Sequence, residues 1–221
     1  MAQNRSTEEV VAAFIKSRGK ILPYQRVLAE YQPELLASFN TFYTNLTLSP
    51  RDLTLQEREL VWTALVTATR EEVGRIHLQR GIDAGLTPED LTDAIALAAA
   101  GEAYSAIEFA TNHWQDWMSR NNASEHYGSI IASARGSASA RGSIEAYLAE
   151  VILVVCFAAR HVPDGLRFHL RRAFEQGATQ GQIAEGLSYL IMPCGANTLI
   201  EAVDVWLEAA EAGECPPPFT D

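Results

Sequence analysis

The chain matches itself at a displacement of about 92 residues, and this self-similarity limits the possible fold more than any other feature. Arg75, His77, Leu78, Arg80, Gly85, Thr87 and Trp114 fall on Arg167, His169, Leu170, Arg172, Gly177, Thr179 and Trp206. The text around them agrees in kind: Arg-Ile-His-Leu-Gln-Arg against Arg-Phe-His-Leu-Arg-Arg, then Gly-Leu-Thr against Gly-Ala-Thr. With one residue fewer in the first copy's break, Glu59 falls on Glu150, at the head of Glu150-Val151-Ile152-Leu153-Val154-Val155. A length of 221 residues allows one large domain or two small ones. The repeat turns that choice into an internal duplication. The expected plan is an N-terminal helical arm over 1–49, a first copy over 50–120, a linker over 121–142, a second copy over 143–212 and a tail over 213–221.

Strand signals are nearly absent, while Ala, Leu and Glu recur at helical spacing, so the fold class expected is all-α. Ser6-Thr7-Glu8-Glu9 reads as a capping box opening a helix through about Lys16, and Gly19 ends it. Pro23 and Pro33 suit the first turns of two further helices that turn Leu28, Leu35, Leu36, Phe39 and Phe42 inward. Thr54-Leu55-Gln56-Glu57 is a second capping box, and the apolar run from Glu59 to Val66 predicts a helix buried on most sides. After a break near Thr69, the next helix is expected from about Arg70 to Ala84, with Gly85 as its stop and Thr87-Pro88-Glu89-Asp90 as the restart. The stretch from Asn121 to Ser143 is rich in small polar residues and glycine, and reads as an exposed linker with no site of its own.

Charge removes several functional classes. With 17 basic against 28 acidic residues and a net charge of −11, a nucleic-acid partner is not expected, nor is an anionic membrane surface. An acidic substrate gains no long-range steering from such a chain and must be held by local arginines. No long apolar run or secretory leader is visible, so a soluble, cytoplasmic protein is expected. Cys156, Cys194 and Cys215 are widely spaced and odd in number, the pattern of reduced thiols rather than of a disulfide framework or zinc cluster.

His77 and His169 hold the same place in each copy, and Arg80 and Arg70 lie near His77 at helical spacing, a stripe that could hold a carboxylate beside a proton donor. Glu59 and Glu150 each open an apolar helix, where a carboxylate either complements the helix dipole or points into a pocket. Glu71 and Glu72 are explained as surface acids of a first turn. Glu102 and Glu108 punctuate the small-residue stretch around Ala98-Ala99-Ala100-Gly101-Glu102-Ala103-Tyr104, which permits close helix approach. No motif for nucleophilic catalysis, phosphate cradling or metal ligation is present in the sequence.

The segment Glu57-Arg58-Glu59-Leu60-Val61, the break, His77 and the Gly85-Leu86-Thr87 turn resemble the carboxymuconolactone decarboxylase family, which also contains the alkylhydroperoxidase D-type reductases. The run from Arg70 to Leu78 is similar to the γ-carboxymuconolactone decarboxylase branch in particular, and the arm is similar to what precedes the domain there. The likeness covers about residues 50 to 120 well and 145 to 210 more loosely. Peroxidase-type members carry two cysteines, the second one turn before the histidine, since one thiolate attacks the peroxide and another thiol resolves it. This chain has Arg70 and Val73 there in copy one, and Val162 and Gly165 in copy two, which excludes dithiol chemistry at those positions.

The resemblance therefore implies a cofactor-free, metal-free lyase or decarboxylase acting on a small unsaturated acid or lactone. It makes His77 the proton donor or shuttle, Glu59 or Glu108 its orienting carboxylate, and Arg70 or Arg75 the anchor of the acid or oxyanion. Arg80, Glu102 and Tyr104 complete the expected substrate-binding set, and Glu150, His169, Arg167 and Arg172 are the second-copy equivalents. Copy two departs further, with His161-Val162-Pro163-Asp164-Gly165 in place of the Arg-Glu-Glu start and Met192-Pro193-Cys194-Gly195 in place of the region of Glu102, so copy one is favoured as the active half. An isomerase or cyclase using the same residues, or a non-catalytic ligand-binding or assembly protein, are the alternatives. A homo-oligomer is implied, with a trimer of fused pairs favoured.

Overall fold

The structure, a computed structural model, describes residues 6–117, 127–134 and 144–219, and every regular element among them is helical. It divides into two compact units, Met1–Ser49 and Pro50–Asp221.

The first unit contains α1 (Thr7–Arg18), α2 (Pro23–Tyr31) and α3 (Pro33–Tyr43). The Ser6 hydroxyl accepts the Glu9 amide, and the Glu9 carboxylate accepts the Ser6 amide. Gly19 ends α1 in the left-handed region at φ 74°, which a side chain would resist. Val10, Phe14, Ala29 and Leu36 form the core of this unit, with Ile21, Leu28 and Phe39 packed on it. A short π turn, Thr44–Leu48, follows α3.

The second unit holds α4 (Leu55–Ala68), α5 (Arg75–Asp83), α6 (Pro88–Trp114), α7 (127–134), α8 (Ala146–Ala159), α9 (Pro163–Glu175), α10 (Gln180–Ser188) and α11 (Ala196–Glu211). Two helices buried on nearly all sides make its centre: Arg58–Val66 of α4 and Leu148–Ala158 of α8 are buried throughout. They pack on each other, and α6 lies against both, its Ala94, Ala98 and Gly101 letting the backbones approach. Helix α5 rests on α4, while α9, α10 and α11 cover α8. The two copies expected from the repeat are thus one packed unit rather than separate bodies. No helix formed by the described residues is long and apolar enough to cross a membrane.

The same backbone devices recur in both halves. Arg70 and His161 turn the chain after the central helices at φ 58° and 56°, and Gly85 and Gly177 stop the next helices at φ 95° and 93°.

Leu35 and Phe42, expected to turn inward, are exposed, and two segments differ from expectation. The helix expected from Arg70 begins at Arg75, because the chain first closes a turn on α4, with Glu71 N bonded to Val66 O, and then runs through a 3-10 turn, Glu72–Gly74. That turn passes so near α4 that a Cβ on Gly74 would stand 2.5 Å from the Val66 side chain. The stretch read as an exposed linker contains α7, which buries Tyr127 and Ile131. The rest of that linker, 121–126 and 135–142, lies outside the described residues.

Candidate active site

The Thr54–Glu57 capping box fixes the start of α4 and so sets which residues of its second turn face α5. Glu59 is fully buried there, and its Oε2 lies 2.8 Å from Nδ1 of His77 on α5. The Arg58 guanidinium, also buried, stands 3.6 Å from the other carboxylate oxygen. Trp62, one turn beyond Glu59, stacks on the imidazole with ring centres 4.2 Å apart. Its far face meets Tyr189 at 4.7 Å. Tyr189 in turn donates to Glu185, whose other oxygen accepts the Leu53 amide at 2.7 Å. A residue of the second half therefore braces the first histidine.

Burial lowers the pKa of His77, and the hydrogen bond and charge of Glu59 offset this only in part, while Arg80 and Arg58 lower it further. The neutral ring that results donates from Nδ1–H to Glu59 and carries its lone pair on Nε2, the state of a general base. Glu59 Oε1 and Trp62 Nε1 are buried and form no hydrogen bond among the described residues. Such atoms are costly to bury unpaired and suit a polar ligand group or water.

The second pair is built alike but closed. His169 Nδ1 lies 2.6 Å from Glu150 Oε2, and Arg172 Nε donates to Glu150 Oε1 at 2.9 Å. The remaining imidazole nitrogen, Nε2, is 2.6 Å from the Tyr127 hydroxyl of α7. Burial raises the pKa of that phenol far above its ordinary range, so it stays a donor. Phe157 stacks on His169, and Tyr104 packs edge-on against Tyr127 and Phe157. Glu150 and His169 are both at 0% exposure.

Of the residues expected at the first site, Glu59 and His77 are in contact, and Arg80 acts on His77 through its charge. The others stand elsewhere. Arg70, 78% exposed, pairs with Glu102, which is bound more closely by Arg160 at 2.6 Å. Arg75 is exposed. Glu108 sits near Tyr104 and Asp164, where burial and the Asp164 charge raise its pKa, and it is absent from the groups that act on His77. Tyr104 belongs to the second cluster. In that cluster Glu150, His169 and Arg172 converge, whereas Arg167 is held in a two-pronged pair by Glu214 of the C-terminal tail. Arg70 does not share a stripe with His77 and Arg80, because it lies in the turn that follows α4 and is not on α5. Sequence reasoning missed Arg58, Trp62, Tyr189 and Tyr127. Trp62, at helical spacing from Glu59, could have been found; the others depend on packing between elements.

The geometry of Glu59, the break and His77 falls within one matched segment. Residues 33–116 match the carboxymuconolactone decarboxylase family model. No curated protein matches the chain. The matched segment carries Arg58, Glu59, Trp62, His77 and Arg80, and contains no cysteine. In the second half a cysteine at position 165 is barred by space as well, since a Cβ there would lie 2.3 Å from the Phe157 ring.

Proposed function

We infer that the protein is a cofactor-free carbon–carbon lyase of the decarboxylase type, acting on a small unsaturated carboxylic acid or lactone at Glu59–His77. The observation that supports this most is the pairing of a buried carboxylate with a neutral imidazole whose second nitrogen is uncommitted. For an acid conjugated to a lactone carbonyl, the substrate enters as its carboxylate and His77 Nε2 takes up one proton from solvent. The C–C bond then breaks, carbon dioxide leaves, and the electron pair passes to the lactone oxygen as an extended enolate. The imidazolium gives this proton to carbon. Glu59 holds the ring and offsets its transient charge, while Arg58 and Arg80 stabilise the oxyanion. The Glu150–His169 pair is the inherited copy of this site, converted to a packed core element by Tyr127.

One observation favours a second reading. A histidine held neutral by burial also suits abstraction of a C–H proton and its return elsewhere, which is isomerisation. The test is a panel of lactone and enol acids with carbon dioxide release and solvent deuterium uptake measured together. Release supports the lyase, and deuterium uptake without mass loss supports the isomerase. Tight binding with neither supports a non-catalytic role. His77→Gln is expected to cut turnover by about 10²- to 10⁴-fold while His169→Gln leaves it near wild type. An unchanged rate in His77→Gln removes that residue from the mechanism.

A further inference from the structure

A pocket of about 290 Å³ opens between the α8–α9 turn and α11, and none of the Glu59–His77 cluster lines it. Val162, Pro163, Leu166, Ala202 and Val205 make its walls of carbon. Its polar margin holds His161 and Glu201, whose Nδ1 and Oε2 stand 2.7 Å apart. The pair is exposed, 57% and 62%, so it adds little to stability, and the fold gains nothing evident from placing it beside an apolar hollow. A concave apolar space with one polar pair at its margin is the usual form of a small-molecule site. The volume lies at the small end of such sites, room for a single ring or short branched chain and too small for a nucleotide.

The pair also selects the ligand's head group. With Nδ1–H on Glu201, this tautomer of His161 leaves Nε2 to accept from a hydroxyl. The Glu201 charge and the net charge of −11 oppose a carboxylate. We propose that this pocket binds a small apolar alcohol, its hydrocarbon body between the α8–α9 turn and α11 and its hydroxyl on the His161–Glu201 pair. The site is separate from Glu59–His77 and does not depend on the reaction assigned there.

The test is titration of the full chain with cyclohexylmethanol, followed by two-dimensional amide NMR, with cyclohexanecarboxylate as the charged counterpart. Saturable shifts at Val162, Leu166 and Ala202 are expected, with the carboxylate weaker by about tenfold. Val205→Trp, at a partly exposed wall position, is expected to weaken the alcohol by at least about tenfold, and His161→Ala, which removes the acceptor, is expected to weaken the alcohol by about three- to tenfold while the carboxylate stays weak. If Val205→Trp fails to fold, the wild-type shift map and the head-group preference still decide. No saturable shift, shifts confined to other regions, or a carboxylate bound as tightly as the alcohol overturns the proposal. So does a finding by sedimentation that the same amides shift only on self-association, which makes the pocket an interface between copies.

Discussion

The imidazoles of His77 and His169 receive the same bond at Nδ1 and differ in what meets the rest of the ring. At His169 the Tyr127 hydroxyl takes Nε2 and Arg172 takes the second oxygen of Glu150, so the polar groups of that pair are answered by protein. At His77 the protein answers Nδ1 and stacks Trp62 on the face, while Glu59 Oε1 has no hydrogen bond among the described residues. The electrostatics of His77 can be checked by substitution. Burial lowers its pKa and Glu59 works against that shift, because a carboxylate favours the imidazolium. Replacing the charge by a neutral amide removes this support for the imidazolium, so Glu59→Gln is expected to titrate His77 at still lower pH, read from the imidazole Hε1 resonance. The limb of kcat/KM that follows protonation of His77 is expected to move down with it. A midpoint that stays put or rises shows that Glu59 serves packing alone.

Elements carry the two pairs to their places, and most of their punctuation could be read in advance. The capping boxes at Ser6 and Thr54, the prolines opening α2 and α3, and the stops at Gly19 and Gly85 all act as their residue types require. The start of α5 could not be read, because it depends on how closely the Glu72–Gly74 turn crosses Val66. Helix α7 could not be read either: Tyr127 and Ile131 are its only buried described residues, too short an apolar pattern to separate from a linker. Close crossings of this kind predict opposite effects for two glycine substitutions. Gly165→Ala pushes a methyl into the fully buried Phe157 ring and is expected to lower stability by about 1–3 kcal/mol in urea unfolding. Gly128→Ala, in α7 with open space around its Cβ, is expected to be neutral or to stabilise by up to about 1 kcal/mol. A neutral Gly165→Ala contradicts the packing of α9 against α8 described above.

For the whole molecule, charge is the property that acts at a distance. A net charge of −11 repels a carboxylate substrate, and salt shortens that repulsion to a Debye length of about 8 Å at 0.15 M. On the lyase reading, kcat/KM for an acid substrate is expected to rise as salt increases from low ionic strength, while inhibition of that reaction by the neutral ester, which cannot lose carbon dioxide, stays level. A fall for the acid implies that local guanidinium groups dominate the approach. The sequence by itself determined the helical class, the caps, the recurrence of Glu59–His77 as Glu150–His169, and the lack of a cysteine pair, because each follows from residue type and spacing along one chain. Only the tertiary structure decided that α4 and α8 share one core, that Tyr189 reaches Trp62 across the two halves, and that Tyr127 closes one histidine while the other stays uncommitted. Those outcomes depend on distances between side chains far apart in sequence, which periodicity does not encode.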